Sequence, residues 1–165
     1  MRNDIPWGHV TALVLSWLII FGFAYLFFAN WQEPKIAVAQ NNQQETEIVI
    51  PRSRDGHYYV RGEVNGYPVD FMVDTGASII SISHEVARAA HLPRGRPAIF
   101  STAAGNIMGE IVADQDIKVG NISARGLTVS VGIQGRIGLL GQNFLRKVEV
   151  IQSGDKMVLR VNGSR

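Results

Sequence analysis

The longest apolar run in the chain lies near the amino terminus, from Val10 to Ala29. No charged side chain interrupts this run, and Trp7 and Trp31 flank it where interfacial tryptophans belong. At about 1.5 Å per residue it forms a helix of roughly 30 Å, which matches the hydrocarbon core of a bilayer. The pattern therefore predicts a transmembrane helix over residues 10–29, after a short tail over residues 1–9.

Two other interpretations of the apolar run compete with a membrane anchor. A buried core helix seldom stays unbroken over such a length. A cleaved signal peptide is the second alternative, since Ala37-Val38-Ala39 offers an A-x-A cleavage pattern. The run exceeds the usual apolar core of a signal peptide, however, and Pro34 and Lys35 separate it from that pattern. An uncleaved anchor is the preferred interpretation, and a weak charge bias favours a cytoplasmic tail with the remainder exported.

The hydrophobic pattern changes after residue 47. Residues 30–47 are mostly polar, with Gln-Asn-Asn-Gln-Gln at 40–44, and predict a flexible linker. In residues 48–165, short β-branched and aromatic runs alternate with Gly and Asn turns, which is typical of an all-β domain. A domain of this size buries a sufficient core without a metal or a disulfide.

Several hairpins and one helix can be placed within this domain. Asn65-Gly66 separates strands at 58–64 and 67–73, because both turn positions of such a hairpin need a positive φ. Ser83 is placed to cap a short helix from Glu85 to His91. Further turns are predicted at Ala104-Gly105-Asn106, between strands at 111–119 and 127–131, and between strands at 148–151 and 157–161.

The composition excludes several kinds of chemistry. The chain has no cysteine, which removes disulfides, thiol catalysis and cysteine-ligated zinc. Its net charge of +2 and the lack of a basic stripe give no support for nucleic-acid binding. The four histidines lack the H-E-x-x-H spacing of a zinc peptidase, so no metal site is predicted.

The informative stretch begins where the apolar run Phe71-Met72-Val73 ends in Asp74-Thr75-Gly76-Ala77-Ser78. Asp74 can hold or activate a water molecule. Gly76 lets its backbone N–H approach the carboxylate because no Cβ intrudes. Thr75 and Ser78 supply hydroxyl groups that can fix the loop by hydrogen bonding. The simpler alternative is that Asp-Thr-Gly is an ordinary turn at the end of a strand.

A single carboxylate does not complete an acid–base site for amide hydrolysis. The known solution places two carboxyl groups together with one proton, one acting as base and the other as acid. Asp-Thr-Gly occurs once in this chain, so the second carboxylate must come from another chain. The simplest source is Asp74 of a second copy across a two-fold axis, and a different Asp-Thr-Gly chain is the alternative. Activity should then favour mildly acidic pH, because the pair must keep one proton.

A second motif, from Ile137 to Leu145, places two apolar residues and a glycine between a strand and a short helix. With these two motifs, the domain resembles the retropepsin-type aspartic proteases, the single-lobe relatives of pepsin that include the retroviral proteases. It is most similar to the bacterial, membrane-anchored branch of that superfamily. The resemblance covers residues 48 to 161 and is specific at the two motifs.

The resemblance implies a closed, retropepsin-like acid protease barrel with one or two short helices and no cofactor. It assigns the catalytic role to Asp74 and the support of the active-site loop to the four residues after it. Leu139-Leu140-Gly141 matches the element that packs behind this loop, and Ala104-Gly105-Asn106 occupies the place of the substrate-covering flap. Gln142 stands where retroviral members usually carry arginine, which bears on the ion-pair support of the dimer.

The sequence thus predicts a membrane-anchored aspartic endopeptidase that forms its site by homodimerisation. Its expected partners are a peptide or protein substrate, a second copy of the chain and membrane lipid. The expected location is a bacterial inner membrane, with the catalytic domain on the periplasmic side. The alternative function is a catalytically inactive module of the same fold that binds a peptide or partner at the membrane.

Overall fold

The computed structural model describes residues 7–31, 34, 36–38, 47–102 and 105–161. The chain divides into two compact units, residues 1–33 and residues 34–165.

The first unit contains one helix, α1, from Trp7 to Trp31. Its segment Thr11–Phe28 has a mean hydropathy of 2.2, and none of that segment is buried. Large apolar side chains such as Leu18, Phe23 and Tyr25 are all exposed. Helix α1 therefore has the length and composition of a membrane span or of an amino-terminal signal sequence.

The second unit contains eleven of the described strands and two short helices, in the following order. They are β1 Ile36–Ala37, β2 Glu47–Pro51, β3 Tyr59–Val64, β4 Tyr67–Val73, β5 Ile80–Ser83, α2 His84–Ala89, β6 Arg96–Thr102, β7 Gly105–Val119, β8 Ile122–Ile133, β9 Gly138–Leu140, α3 Gln142–Leu145, β10 Val148–Ser153 and β11 Lys156–Val161. The expected mostly β domain with one or two short helices is confirmed.

Six strands of the larger sheet pair in a ring. Around this ring β3 pairs with β4, β4 with β9, β9 with β5, β5 with β8 and β8 with β7. The last connection returns from β7 to β3, where Gly62 lies opposite Val119. The pairing of β9 with β5 is the shortest in the ring, because the register pairs only Ser81 with Leu139. Strand β1 extends this sheet beside β3, and β6 extends it beside β7.

A smaller sheet is formed by β2 and the β10–β11 hairpin, with β11 in the centre. Its inner face supplies Ile50 and Leu159, which are fully buried in the same core as the larger sheet. The side chains of Phe71, Ile80 and Phe144 are also fully buried there. One hydrophobic core therefore joins both sheets and both short helices of the second unit.

The predicted hairpins are present in the fold. Asn65 and Gly66 have φ values of 50° and 83°, as the turn between β3 and β4 requires. The turn after β7 uses Gly120 with a φ of 56°, and β10 pairs with β11 through Ser153 and Lys156. Strands β7 and β8 are longer than predicted. The first part of β7 pairs with β6, and β8 begins earlier because its pairing with β7 continues past a register shift between Val112 and Ile117.

Helix α2 begins one residue earlier and ends two residues earlier than predicted. Ser83 caps it as expected, since its hydroxyl oxygen accepts a hydrogen bond from the Val86 N–H at 3.2 Å. The early end follows from His91, which adopts a left-handed φ of 55°. The Leu92 N–H then donates to the Ala87 carbonyl oxygen at 2.9 Å, which completes a Schellman-type helix end.

Part of the predicted flexible linker is ordered in a strand. Ile36 and Ala37 form β1, which pairs in parallel with Tyr59 and Val60 of β3. Both β1 residues are partly buried, and Ala37 packs against the core. Residues 36–37 of the predicted linker thus form a short strand, which the sequence did not indicate because two residues give too little periodicity to be recognised.

Candidate active site

Asp74 directly follows β4, at the point where β4 lies beside β9. These two strands are parallel, and the register places Val73 opposite Leu140. The Asp74 N–H donates to the Leu140 carbonyl oxygen at 3.1 Å. The strand of the second sequence motif therefore fixes the backbone from which the Asp74 carboxylate projects.

The loop after Asp74 folds back onto its carboxylate. The Gly76 N–H donates to Asp74 Oδ1 at 2.8 Å, and the Ala77 N–H donates to the Asp74 carbonyl oxygen at 3.3 Å. A Cβ at position 76 would lie 3.3 Å from Asp74 Oδ1, tighter than an ordinary contact. Gly76 thus allows the close approach that the sequence analysis assigned to it. Asp74 is half-buried, whereas Thr75 and Ser78 are exposed.

The start of α3 holds the other end of this loop. The Gln142 N–H donates to the Ala77 carbonyl oxygen at 2.8 Å, and the Asn143 N–H donates to the Ser78 carbonyl oxygen at 3.2 Å. Gly141 makes this contact possible, because a Cβ there would lie 2.4 Å from the Ile79 carbonyl oxygen. The structure therefore brings the loop from Asp74 to Ser78 together with the Leu139-Leu140-Gly141 motif.

Two amide side chains of α3 contribute contacts that the sequence analysis did not foresee. Gln142 Nε2 donates to the Thr75 carbonyl oxygen at 2.9 Å. Asn143 Oδ1 accepts from the Ile80 N–H at 3.0 Å, and its Nδ2 donates to the Thr128 carbonyl oxygen at 2.7 Å. The only sequence signal for these roles is the occurrence of two amides directly after the apolar-apolar-Gly motif.

The residues behind the loop are apolar and closely packed. Leu140 and Phe144 are fully buried, and Leu139 is partly buried. Gly138 lies against the Phe71 ring, where a Cβ would approach ring carbons at 2.9 Å. This packing gives the polar loop a rigid apolar base.

The predicted flap corresponds to the hairpin of β6 and β7. Thr102 pairs with Gly105, which has a φ of 114°, and Asn106 follows in β7. Ala104, the first residue of the predicted flap tip, lies outside the described residues. Further down the hairpin, Ile99 and Met108 are paired and are 71% and 80% exposed. The hairpin therefore presents an apolar pair to solvent.

A second polar cluster lies beside β4, the strand that ends at Asp74. The Tyr59 hydroxyl donates to Asp55 Oδ2 at 2.5 Å, and His57 Nδ1 lies 3.3 Å from the same oxygen. The Tyr59 hydrogen bond is the main cause that lowers the pKa of Asp55 below its ordinary value. Burial, and then the bond to Asp55, raises the pKa of Tyr59 to about 12. Tyr58, which lies between His57 and Tyr59 in the chain, links this segment to β4, because its carbonyl oxygen accepts a hydrogen bond from the Val73 N–H at 2.9 Å.

The arrangement can orient one carboxylate for acid–base chemistry. Within the described ranges, no group of three or more His, Asp or Glu side chains is placed to hold a metal ion. The loop offers a half-buried carboxylate with one oxygen held by a backbone N–H. A mostly β domain with such a loop, backed by an apolar-apolar-Gly strand, defines a retropepsin-like aspartic protease fold.

Comparison with known proteins identifies the family. The family model described as "gag-polyprotein putative aspartyl protease" matches residues 60–147, more than half of the chain. The crystal structure of a retropepsin-like aspartic protease from Rickettsia conorii superposes with a TM-score of 0.58 and 28% identity. This match covers 70% of this chain and 89% of that chain. The protein therefore belongs to the retropepsin-like aspartic protease family.

Two curated relatives also match. An uncharacterized protein in the cobV 5′ region of a Sinorhizobium species is 29% identical over 161 residues, which span 92% of this chain and 69% of the relative. The uncharacterized protein RP867 of Rickettsia prowazekii is 36% identical over 80 residues, or 46% of this chain and 35% of the relative. The first match extends beyond the protease domain into the segment that contains α1.

Proposed function

We propose that the protein is a membrane-anchored aspartic endopeptidase whose site forms when two copies each contribute Asp74. The observation that carries this proposal is the fixed carboxylate of Asp74, held by Gly76 and backed by Leu140. A carboxylate with one oxygen engaged by a backbone N–H keeps its other oxygen available for a water molecule or a proton. The membership of the retropepsin-like family supports the same chemistry.

The reaction requires two carboxyl groups with one proton between them. The ionised Asp74 takes a proton from water as the water oxygen bonds to the peptide carbonyl carbon. The protonated Asp74 of the second copy gives its proton to the carbonyl oxygen. The Asp74 that took the proton from water then gives it to the nitrogen as the C–N bond breaks, and the other Asp74 takes a proton from a hydroxyl of the tetrahedral intermediate. A carboxylic acid and an amine leave, and the pair again holds one proton.

The supporting roles follow from this mechanism. The loop from Thr75 to Ser78 orients the carboxylate, and Leu139-Leu140-Gly141 forms its base. The β6–β7 hairpin, with Gly105 and Asn106 near its tip, is the proposed flap over an extended peptide. The exposed pair Ile99 and Met108 gives the hairpin an apolar surface that suits apolar substrate side chains.

The proposed anchor is the apolar helix over residues 10–29, with residues 1–9 on the cytoplasmic side and the protease domain exported to the periplasm of a bacterium. Anchoring confines two copies to one surface and so raises their effective concentration. A site that needs two copies benefits directly from this confinement. Membrane anchoring would therefore favour the dimer on which the proposed site depends.

The test compares the full chain in detergent micelles with its Asp74→Asn variant. Both are incubated with a denatured protein mixture from pH 4 to 8, and fragments are identified by mass spectrometry. Asn retains the shape of Asp but cannot hold the ionised or protonated carboxyl, so a loss of at least about a hundredfold is expected. Asp114→Asn, at an exposed position of β7, is the matched control.

Cleavage that persists in the control and disappears in Asp74→Asn supports the endopeptidase. Equal cleavage by Asp74→Asn overturns it. If the wild-type chain is dimeric and cleaves nothing across this pH range, the catalytic proposal is wrong and the fold serves as a binding module.

A further inference from the structure

We infer that Gln142 is a positioning residue for the catalytic carboxylate, acting through the peptide group between Thr75 and Gly76. Gln142 Nε2 donates to the Thr75 carbonyl oxygen at 2.9 Å. The N–H of the same peptide group, which belongs to Gly76, donates to Asp74 Oδ1 at 2.8 Å. This inference rests on the proposed function, because it concerns how Asp74 is oriented for catalysis.

Because the peptide group is planar, the directions of these two hydrogen bonds are coupled. The C=O and N–H of a trans peptide point in opposite directions within one plane. When Gln142 fixes the Thr75 oxygen, it therefore also fixes the direction in which the Gly76 N–H points at Asp74. A hydrogen bond accepted by the carbonyl also polarises the amide and strengthens the bond that its N–H donates.

Backbone hydrogen bonds hold the loop in place independently of the Gln142 side chain. The Gln142 N–H donates to the Ala77 carbonyl oxygen at 2.8 Å, and Asn143 and Asp74 make further backbone bonds to Ser78 and Leu140. Loss of the Gln142 side chain removes control over one peptide plane and leaves these bonds intact. The expected consequence is a lower turnover rate without a comparable loss of folding or substrate binding.

Two substitutions test the inference in the full chain in micelles. Gln142→Ala removes the donor, and we expect kcat to fall by about tenfold to a hundredfold with little change in KM, as a misplaced catalytic group predicts. Gln142→Glu keeps the length of the side chain but donates to the Thr75 oxygen only when its carboxyl is protonated. Its activity relative to wild type should therefore fall as pH rises through the ordinary glutamate range near about 4.3.

Matched controls separate this effect from a general effect of the substitutions. Gln152 is an exposed glutamine of β10 in the smaller sheet. We expect Gln152→Ala and Gln152→Glu to keep the wild-type kcat and the wild-type pH profile. Gln142→Ala should lack the fall that follows the glutamate titration, because alanine has no proton to lose.

A readout without substrate separates this inference from the proposed function. If Gln142 orients the Thr75–Gly76 peptide, the Gly76 amide should exchange with solvent several-fold faster in Gln142→Ala than in wild type. Wild-type exchange at Gly76 in that variant, with kcat also unchanged, overturns the inference. A wild-type chain that cleaves no peptide overturns the proposed function, while the exchange measurement still decides whether Gln142 controls the peptide plane.

Discussion

Asp74 and Leu140 belong to motifs that lie far apart in the sequence, and one backbone hydrogen bond of 3.1 Å joins them. The residue before Asp74, Val73, is the register partner of Leu140 in the parallel pairing of β4 with β9. The loop after Asp74 and its apolar base are therefore parts of one backbone unit. Substitutions that disturb β9 or the start of α3 should consequently affect the loop.

The first prediction concerns the close approach of Gly141 to the loop. In Gly141→Ala the new Cβ would lie 2.4 Å from the Ile79 carbonyl oxygen, so the backbone must move. The φ of Gly141 is −89°, which any residue adopts, so the cost arises from collision alone. We expect a loss of about 1–3 kcal/mol in the free energy of unfolding, measured by urea titration of the full chain in micelles.

The matched control for this substitution is Gly22→Ala. A Cβ at Gly22 meets nothing within 4 Å, and the residue lies within a helix. This variant should unfold at the same urea concentration as wild type. Equal stability of Gly141→Ala and wild type would show that the contact with Ile79 relaxes without cost.

The second prediction concerns the side chain of Asn143, which bridges two strands. Asn143→Ala leaves the Ile80 N–H and the Thr128 carbonyl without this partner, and we expect a destabilisation of about 2–4 kcal/mol. Asn143→Asp keeps the acceptor for Ile80 but places a carboxylate oxygen against the Thr128 oxygen. We therefore expect Asn143→Asp to regain stability at acidic pH, where a protonated carboxyl can donate.

Asn121→Ala provides the control, since Asn121 is exposed in the turn between β7 and β8. Its unfolding free energy should stay within about 0.5 kcal/mol of wild type. The prediction about Asn143 is wrong if its alanine variant is no less stable than the Asn121 variant.

The third prediction concerns Tyr59 and alkaline pH. The pKa of Tyr59 is raised from 10.0 to about 12, mainly by burial and also by its hydrogen bond to Asp55. A pKa raised by folding means that the folded state favours the protonated phenol. The corresponding stability is fully present below pH 10 and is lost as pH rises from 10 through 12, with a magnitude of up to roughly 2 to 3 kcal/mol.

Tyr59→Phe removes this proton. The stability difference between wild type and Tyr59→Phe should therefore shrink between pH 10 and pH 12, measured by urea unfolding at each pH. Tyr67→Phe is the control for the same substitution at a tyrosine that is 37% exposed. A constant difference between wild type and Tyr59→Phe across this range would contradict the prediction.

The fourth prediction tests whether two copies share one site. Wild-type chains are mixed in equal amounts with Asp74→Asn chains and allowed to exchange subunits. If a mixed dimer is inactive, random pairing leaves about one quarter of the dimers fully wild type, so activity per total chain falls to about one quarter. Addition of Asp114→Asn chains, which keep Asp74, should leave activity per chain unchanged.

A fall to about one half of the activity per total chain would show that each copy acts alone. Subunit exchange can be verified by mass spectrometry of isotopically labelled chains. The measurement thus distinguishes a shared site from a complete site within one chain.

Much of the fold was predictable because local signals were strong. Asn65-Gly66 specified a hairpin through its backbone preferences, and Ser83 specified the start of α2 through its side chain. The motifs around Asp74 and Leu140 each combined an apolar strand with a turn, and their resemblance to a known family predicted that they meet. Each of these signals is contained in a few consecutive residues.

The remaining features depend on contacts between distant residues. Strand β1 forms because Ile36 and Ala37 pair with β3, and nothing in the two residues alone predicts that pairing. The end of α2 depends on the left-handed backbone of His91, a conformation that is uncommon for residues other than glycine. The role of Gln142 depends on the position of the Thr75 carbonyl oxygen, which only the assembled loop defines.

The parallel pairing of β4 with β9 has a consequence for the order of events during protein synthesis. Asp74 leaves the ribosome well before Leu140 and Gln142, at typical rates several seconds earlier. Until β9 and α3 emerge, the loop lacks the partners that fix its backbone and its carboxylate. The nascent chain therefore carries Asp74 in an incomplete loop, and the loop can reach its final geometry only after nearly the whole domain has been translated.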